Sequence, residues 1–139
     1  MKKFKYNLEN VLQIKKFREE ECRMALGIAI SELNAIENKI KETALKHHHA
    51  ASERLKDPSK MIIWNNFITR LEQETEKLLE QAAQAEIVVE EKRALYMEAF
   101  KDFKALEKLK EKKAKEYKKE AEKFESAEVD EIYAMRQNK

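Results

Sequence analysis

The triplet Asp57-Pro58-Ser59 decides the fold of this chain. It holds the one proline among 139 residues, and Gly27 is the one glycine. A globular fold of this length needs turns, and turns draw on Gly, Pro, Asn and Asp for their backbone angles. Here the chain has one evident place to reverse. Asp caps the first free N–H groups of a helix, and Pro is tolerated at the first helical position because its missing N–H would be unpaired anyway. Read outward from the triplet, helix 1 covers about 8–55, the turn lies near 56–59, and helix 2 covers about 58–135, in a single coiled-coil domain over 1–139. Gly27 falls inside helix 1 but off its apolar seam, so a tolerated surface glycine is expected there.

Composition agrees. Charged residues make up 40% and aromatics only 8%, the signature of extended helices rich in Ala, Glu, Lys, Leu and Arg. The net charge of +2 is too small to argue for nucleic acid or membrane. No apolar run approaches the ~20 residues that cross a bilayer. The opening Met1-Lys2-Lys3-Phe4-Lys5-Tyr6-Asn7 has no apolar block behind its lysines, so no secretory leader is expected. One cysteine, Cys22, cannot make an internal disulfide, which fits a reducing compartment.

Apolar residues recur three and four apart. Helix 1 carries Leu8, Leu12, Lys15, Glu19, Cys22, Leu26, Ala29, Leu33, Ile36, Ile40, Thr43 and His47 on one seam. Helix 2 carries Trp64, Ile68, Leu71, Thr75, Leu78, Ala82, Ala85, Val89, Lys92, Tyr96, Ala99, Phe103 and Leu106. A spacing that averages 3.5 residues keeps one stripe on a partner helix along its whole length. Folding back at the turn sets Ile40 beside Thr75, Leu33 beside Ala82, Leu26 beside Val89, Leu12 beside Phe103 and Leu8 beside Leu106. The expected fold is therefore all-α: two long helices in an antiparallel coiled-coil hairpin, the second longer and overhanging. Lys15, Glu19 and Lys92 interrupt the stripe. Either their stems pack while their heads reach water, or a Glu19–Lys92 pair fixes the register.

At 1.5 Å per residue, helix 1 spans roughly 70 Å and helix 2 roughly 115 Å. On this register Lys110 to Lys139 has no partner within the chain, and only Glu–Lys neighbours support it. The lysine-heavy stretch from Glu107 to Lys119 reads as a solvated face or as a basic prong for an acidic or ring-shaped partner. In the second case Tyr117, Phe124, Ile132 and Tyr133 become apolar anchors for that partner.

Catalytic chemistry is not evident. One glycine cannot build a phosphate loop. His47-His48-His49 point ~100° apart around a helix, whereas metal-binding pairs sit at i and i+4, so surface histidines are expected and no metal or cofactor. Cys22 on the seam reads as a small hydrophobe. The glutamates read as a helix surface, since paired catalytic carboxylates need a cleft.

The opening Phe4-Lys5-Tyr6-Asn7-Leu8-Glu9-Asn10-Val11-Leu12, then Lys15-Lys16-Phe17-Arg18-Glu19-Glu20-Glu21, resembles the start of the flagellar export protein family FliJ. Leu106-Glu107-Lys108-Leu109-Lys110-Glu111-Lys112-Lys113, Tyr117-Lys118-Lys119-Glu120 and the closing Glu128-Val129-Asp130-Glu131-Ile132-Tyr133 are similar to its end. The resemblance implies a non-enzymatic, cytoplasmic component at the base of the flagellar motor, similar to the stalk subunit of rotary ATP synthases. It implies as partners the export ATPase FliI, its regulator FliH, the cytoplasmic domain of the gate protein FlhA, and export chaperones. Nucleic acid and small-molecule substrates are not implied, and membrane contact is peripheral, through the gate. Carried over by residue, the ATPase-facing set is Phe4, Leu8, Leu12, Leu109, Tyr117, Phe124, Asp130 and Glu131. The gate-facing pair is Phe67 and Leu71, within Phe67-Ile68-Thr69-Arg70-Leu71. The rest of a gate patch departs from the family pattern, with Lys39, Thr43 and Lys46 where larger apolar groups are expected. Two other readings stand beside this one: a generic coiled-coil scaffold or homodimer, and a helical arm for nucleic acid, which the interleaved glutamates weaken.

Overall fold

A computed structural model describes residues 2–137. Helix α1 is Glu9–Arg54 (46 residues) and helix α2 is Met61–Gln137 (77 residues), joined through a single 3-10 turn at Pro58–Lys60. The described residues contain no strand, and the two helices pack against each other as a helical hairpin. The all-α expectation holds.

The reversal is built as the sequence implies. Asp57 sits in extended backbone (φ −139°, ψ 100°), and its Oδ1 accepts from Ser59 N at 3.1 Å and from Ser59 Oγ at 2.6 Å. These two hydrogen bonds hold its carboxyl below the usual aspartate pKa, the side-chain bond contributing most. Pro58 occupies the start of the 3-10 turn, where no N–H is required. Across the turn Arg54 Nη1 donates to Asn65 Oδ1 at 2.9 Å. Glu9 in the first turn of α1, and Arg54 and Arg136 in the last turns, each oppose a helix-end partial charge.

Every residue of both expected seams is buried or half-buried. The chain divides into two contact units, Glu21–Met97, and Met1–Glu20 with Glu98–Lys139. In the first unit, Leu26, Ala29 and Val89 form one buried cluster, with Ile30, Leu33 and Tyr96 packed against it, in the expected register. A second cluster joins Ala50, Ile68 and Leu71, flanked by Ala51, Trp64 and Phe67. Ala50 is fully covered (0% exposed) and extends the α1 seam one step beyond His47. A buried Leu such as Leu71 stabilises by about 1.5–3 kcal/mol relative to an exposed one. Cys22 is buried, as a seam residue should be. Gly27 is exposed, and a Cβ built there would meet nothing within 4 Å.

In the other unit, Tyr6, Leu12, Glu19 and Ala99 are buried. Lys15 is half-buried with its Nζ 3.8 Å from Asp102, so its stem packs while its head reaches the surface. The Lys104 ammonium pKa is raised, chiefly by its 2.9 Å hydrogen bond to Glu107, with the fields of Glu111 and Glu19 adding to it.

One expectation is overturned in this unit. The stretch from Lys110 onward does have partners within the chain. Lys110 Nζ pairs with Glu9 Oε2 at 2.8 Å, and Tyr117 meets Phe4 and Lys2. Residues 2–6 are not helical and reach further along α2 than a helix of the same length, because extended chain rises over 3 Å per residue against 1.5 Å. Uninterrupted exposure begins only at Glu122. Met1, Asn138 and Lys139 lie outside the described residues.

Candidate partner-binding surfaces

The N-terminal segment positions the first group of candidate residues. Tyr6 is 8% exposed, and its hydroxyl donates to the Leu106 carbonyl at 3.3 Å. The Phe4 ring lies 5.5 Å from that of Tyr117, tilted by 47°, and the Tyr117 hydroxyl donates to the Lys2 carbonyl. Glu9 accepts from Gln13 Nε2 at 3.1 Å besides pairing with Lys110. Lys110 first and Gln13 second hold its carboxyl below the usual glutamate pKa. Of the residues expected to face an ATPase, Leu12 is buried, whereas Phe4, Leu8, Leu109 and Tyr117 are half-buried. Phe124, Asp130 and Glu131 are exposed.

Past Ala121 the helix has no cover among the described residues. Phe124 is 48% exposed and Tyr133 64%, with Val129, Ile132 and Met135 also open. Phe124 and Met135 lie on one face, since a spacing of eleven returns to within about 20° on a helix, and Ile132 lies within about 80° of both. Among the described residues from Glu111 on, no ion pair forms between the many Lys and Glu side chains, so this surface is solvated charge. Past Ala121, the one side-chain hydrogen bond among the described residues runs from Gln137 Nε2 to Tyr133 Oη at 2.9 Å.

The other unit carries a different surface. Leu71 is 4% exposed and belongs to the core with Ala50 and Ile68. Phe67 is half-buried and meets Trp64 edge-on at 6.0 Å, and His49 also meets Trp64 edge-on, at 6.4 Å. Leu45, Lys46, His49, Trp64 and Phe67 line a shallow, almost wholly apolar groove. Leu45, Ile62 and Ile63 are strongly exposed in this unit too. Sequence reasoning passed over them, although Met61-Ile62-Ile63-Trp64 gives a signal: of four consecutive apolar residues on a helix, only one or two can face a seam. Thr43 is buried, its hydroxyl returned to the Lys39 carbonyl at 2.8 Å. His47 Nε2 lies 3.4 Å from Glu72 Oε1, so His47 faces a carboxylate and His49 an aromatic ring.

An uncovered helical end and apolar groups left open suit a protein that acts through docking. A family profile described as Flagellar FliJ protein matches residues 4–139. The chain belongs to the FliJ family. Membership carries a flagellar, export-related role for a non-catalytic component with protein partners in that apparatus. The match begins at Phe4, so residues 4–8 of the non-helical N-terminal segment lie within the family pattern. No curated protein and no solved structure matches the chain at a significant level. No helix among the described residues is long and apolar enough to cross a membrane.

Proposed function

We propose that this FliJ-family chain is a stalk-like adaptor of the flagellar type III export apparatus. The unit holding both chain ends docks into the ring of the export ATPase FliI, near its regulator FliH. The groove-bearing unit docks on the cytoplasmic domain of the gate protein FlhA, and the chain escorts export chaperones. It works in the cytoplasm at the base of the motor and meets the membrane only through the gate. The observation that carries this reading is the bare helix from Glu122 to Gln137, with Phe124, Ile132 and Tyr133 open. Exposed apolar groups that a fold does not bury are a usual mark of binding sites. For the gate, Phe67 supplies the reachable edge, and Leu71 backs it from the core.

Purified protein is expected to raise FliI hexamer formation and ATP turnover. If both stay unchanged, and truncation after Leu109 leaves motility intact, the reading fails. A scaffold that self-associates is favoured by one separate observation. Ile14, Phe17, Met24 and Ile28 on α1 are all exposed, at spacings of three, seven and four. Sedimentation at micromolar concentration distinguishes the two, the stalk reading requiring a monomer.

A further inference from the structure

Residues 2–8 form a strap on α2. Beneath them Leu106, Leu109, Lys110, Ala114 and Tyr117 recur at helical spacing on one face and are all half-buried. The intervening Lys108, Glu111, Lys112, Lys113, Lys115 and Glu116 are exposed. Helix α1 starts at Glu9, whose partner is Lys110, so the contacts made to Tyr117 come from the strap. The strap's grip consists of the buried Tyr6 ring and the half-buried Phe4 and Leu8, the Tyr6 hydroxyl on the Leu106 carbonyl, the Phe4–Tyr117 ring contact, and the Tyr117 hydroxyl on the Lys2 carbonyl. Among the described residues no backbone ladder ties it to α2. A few side-chain contacts set against the ordering of a whole segment leave it near the low-stability end of the molecule. Charge weakens the grip further. The strap brings Lys2, Lys3 and Lys5 to the most lysine-rich part of α2, where like charges repel.

We propose that residues 2–8 are a releasable strap, and that when closed it occludes the α2 face from Lys110 to Tyr117 against any partner that docks there. The identity of that partner as the ATPase ring rests on the stalk reading above; the opening of the strap does not. The strap then acts as an autoinhibitory cover. Docking draws on the open fraction alone, so the apparent affinity of the chain is lowered by that fraction.

The test places a thiol under the strap. In the full chain, Ala114→Cys is alkylated with iodoacetamide with and without Tyr6→Ala, and the rates are read by mass spectrometry against buried Cys22 as an internal reference. Removing the Tyr6 anchor is expected to speed alkylation at residue 114 by at least about fivefold, since modification follows the open fraction. Phe4→Ala, which leaves the buried Tyr6 in place, is expected to act in the same direction. Unchanged rates in both variants overturn the strap. Titration onto assembled FliI rings then compares the intact chain with Tyr6→Ala, which should bind tighter by a similar factor. Faster alkylation with equal affinity overturns the occlusion. Binding by neither chain rejects the stalk reading instead, while the alkylation rates still decide the strap.

Discussion

Replacing Gly27 by alanine should stabilise the protein, and the structure sets the size of the gain. Gly27 lies in the interior of α1, far from either end. Its φ is not positive, so alanine meets no backbone strain there. A new Cβ would touch nothing within 4 Å, so neither packing nor clash alters the balance. What remains is the helix-propensity difference, about 0.8–1 kcal/mol in favour of alanine, much of it from the greater freedom of glycine in the unfolded chain. For a chain of this length that raises the thermal midpoint by about 2–5 °C. Urea and heat melts followed by the far-ultraviolet helix signal should show a higher midpoint with an unchanged denaturant slope. Because Gly27 belongs to the Glu21–Met97 unit, only that unit's transition should move if two are resolved. Gly27→Pro is the opposing control, with a loss of about 3 kcal/mol or more. An alanine variant of equal or lower stability would refute the continuous, uncontacted helix on which the estimate rests.

Three further outcomes are expected. Leu71→Ala should cost about 2–5 kcal/mol by urea melting, whereas Leu45→Ala, at an exposed site, should stay within about 0.5 kcal/mol; similar losses at both would displace Leu71 from the core. Glu9 and Asp57 have carboxyl pKa values held below their ordinary 4.5 and 3.8 by Lys110 and Ser59 respectively. Their stabilisation is fully present above those ordinary values and is lost as pH falls from them through the lowered folded values, so Glu9→Gln should flatten the acid limb of an unfolding-midpoint-against-pH curve. Truncation after Ala121 should leave the melting curve of the remaining chain nearly unchanged, since the residues beyond it are exposed throughout, yet abolish stimulation of FliI; a cooperative loss of stability would show that the end is packed after all.

Much of the fold was legible because its signals are local. Asp57-Pro58-Ser59 marks the reversal through backbone chemistry that needs no partner, and it folds as that chemistry requires. The seam residues from Leu8 to His47 and from Trp64 to Leu106 are covered because a spacing near 3.5 leaves a helix one face to bury. Ala50 was missed since alanine carries almost no hydropathy signal, and its complete burial depends on what stands opposite. The strap was missed for a different reason. Residues 2–6 have no helical period, so nothing in their order says which part of α2 receives Tyr6 or Phe4. Helix 1 set alone against helix 2 leaves Tyr117 unpartnered, whereas the extended segment ahead of Glu9 reaches it. At the candidate surfaces, residue types were readable but accessibility was not: Phe67 and Leu71 share one helical spacing, yet only Phe67 keeps an edge outside the core.

By itself the sequence determined two helices, their single reversal and the faces they turn to each other, because periodicity and capping act over a few residues. Only the tertiary structure decided where cover ends on α2, at Ala121 and not at Leu109, and that Phe4 and Tyr6 spend their rings within the chain. Those outcomes follow from contacts about a hundred residues apart in sequence, which no local pattern encodes.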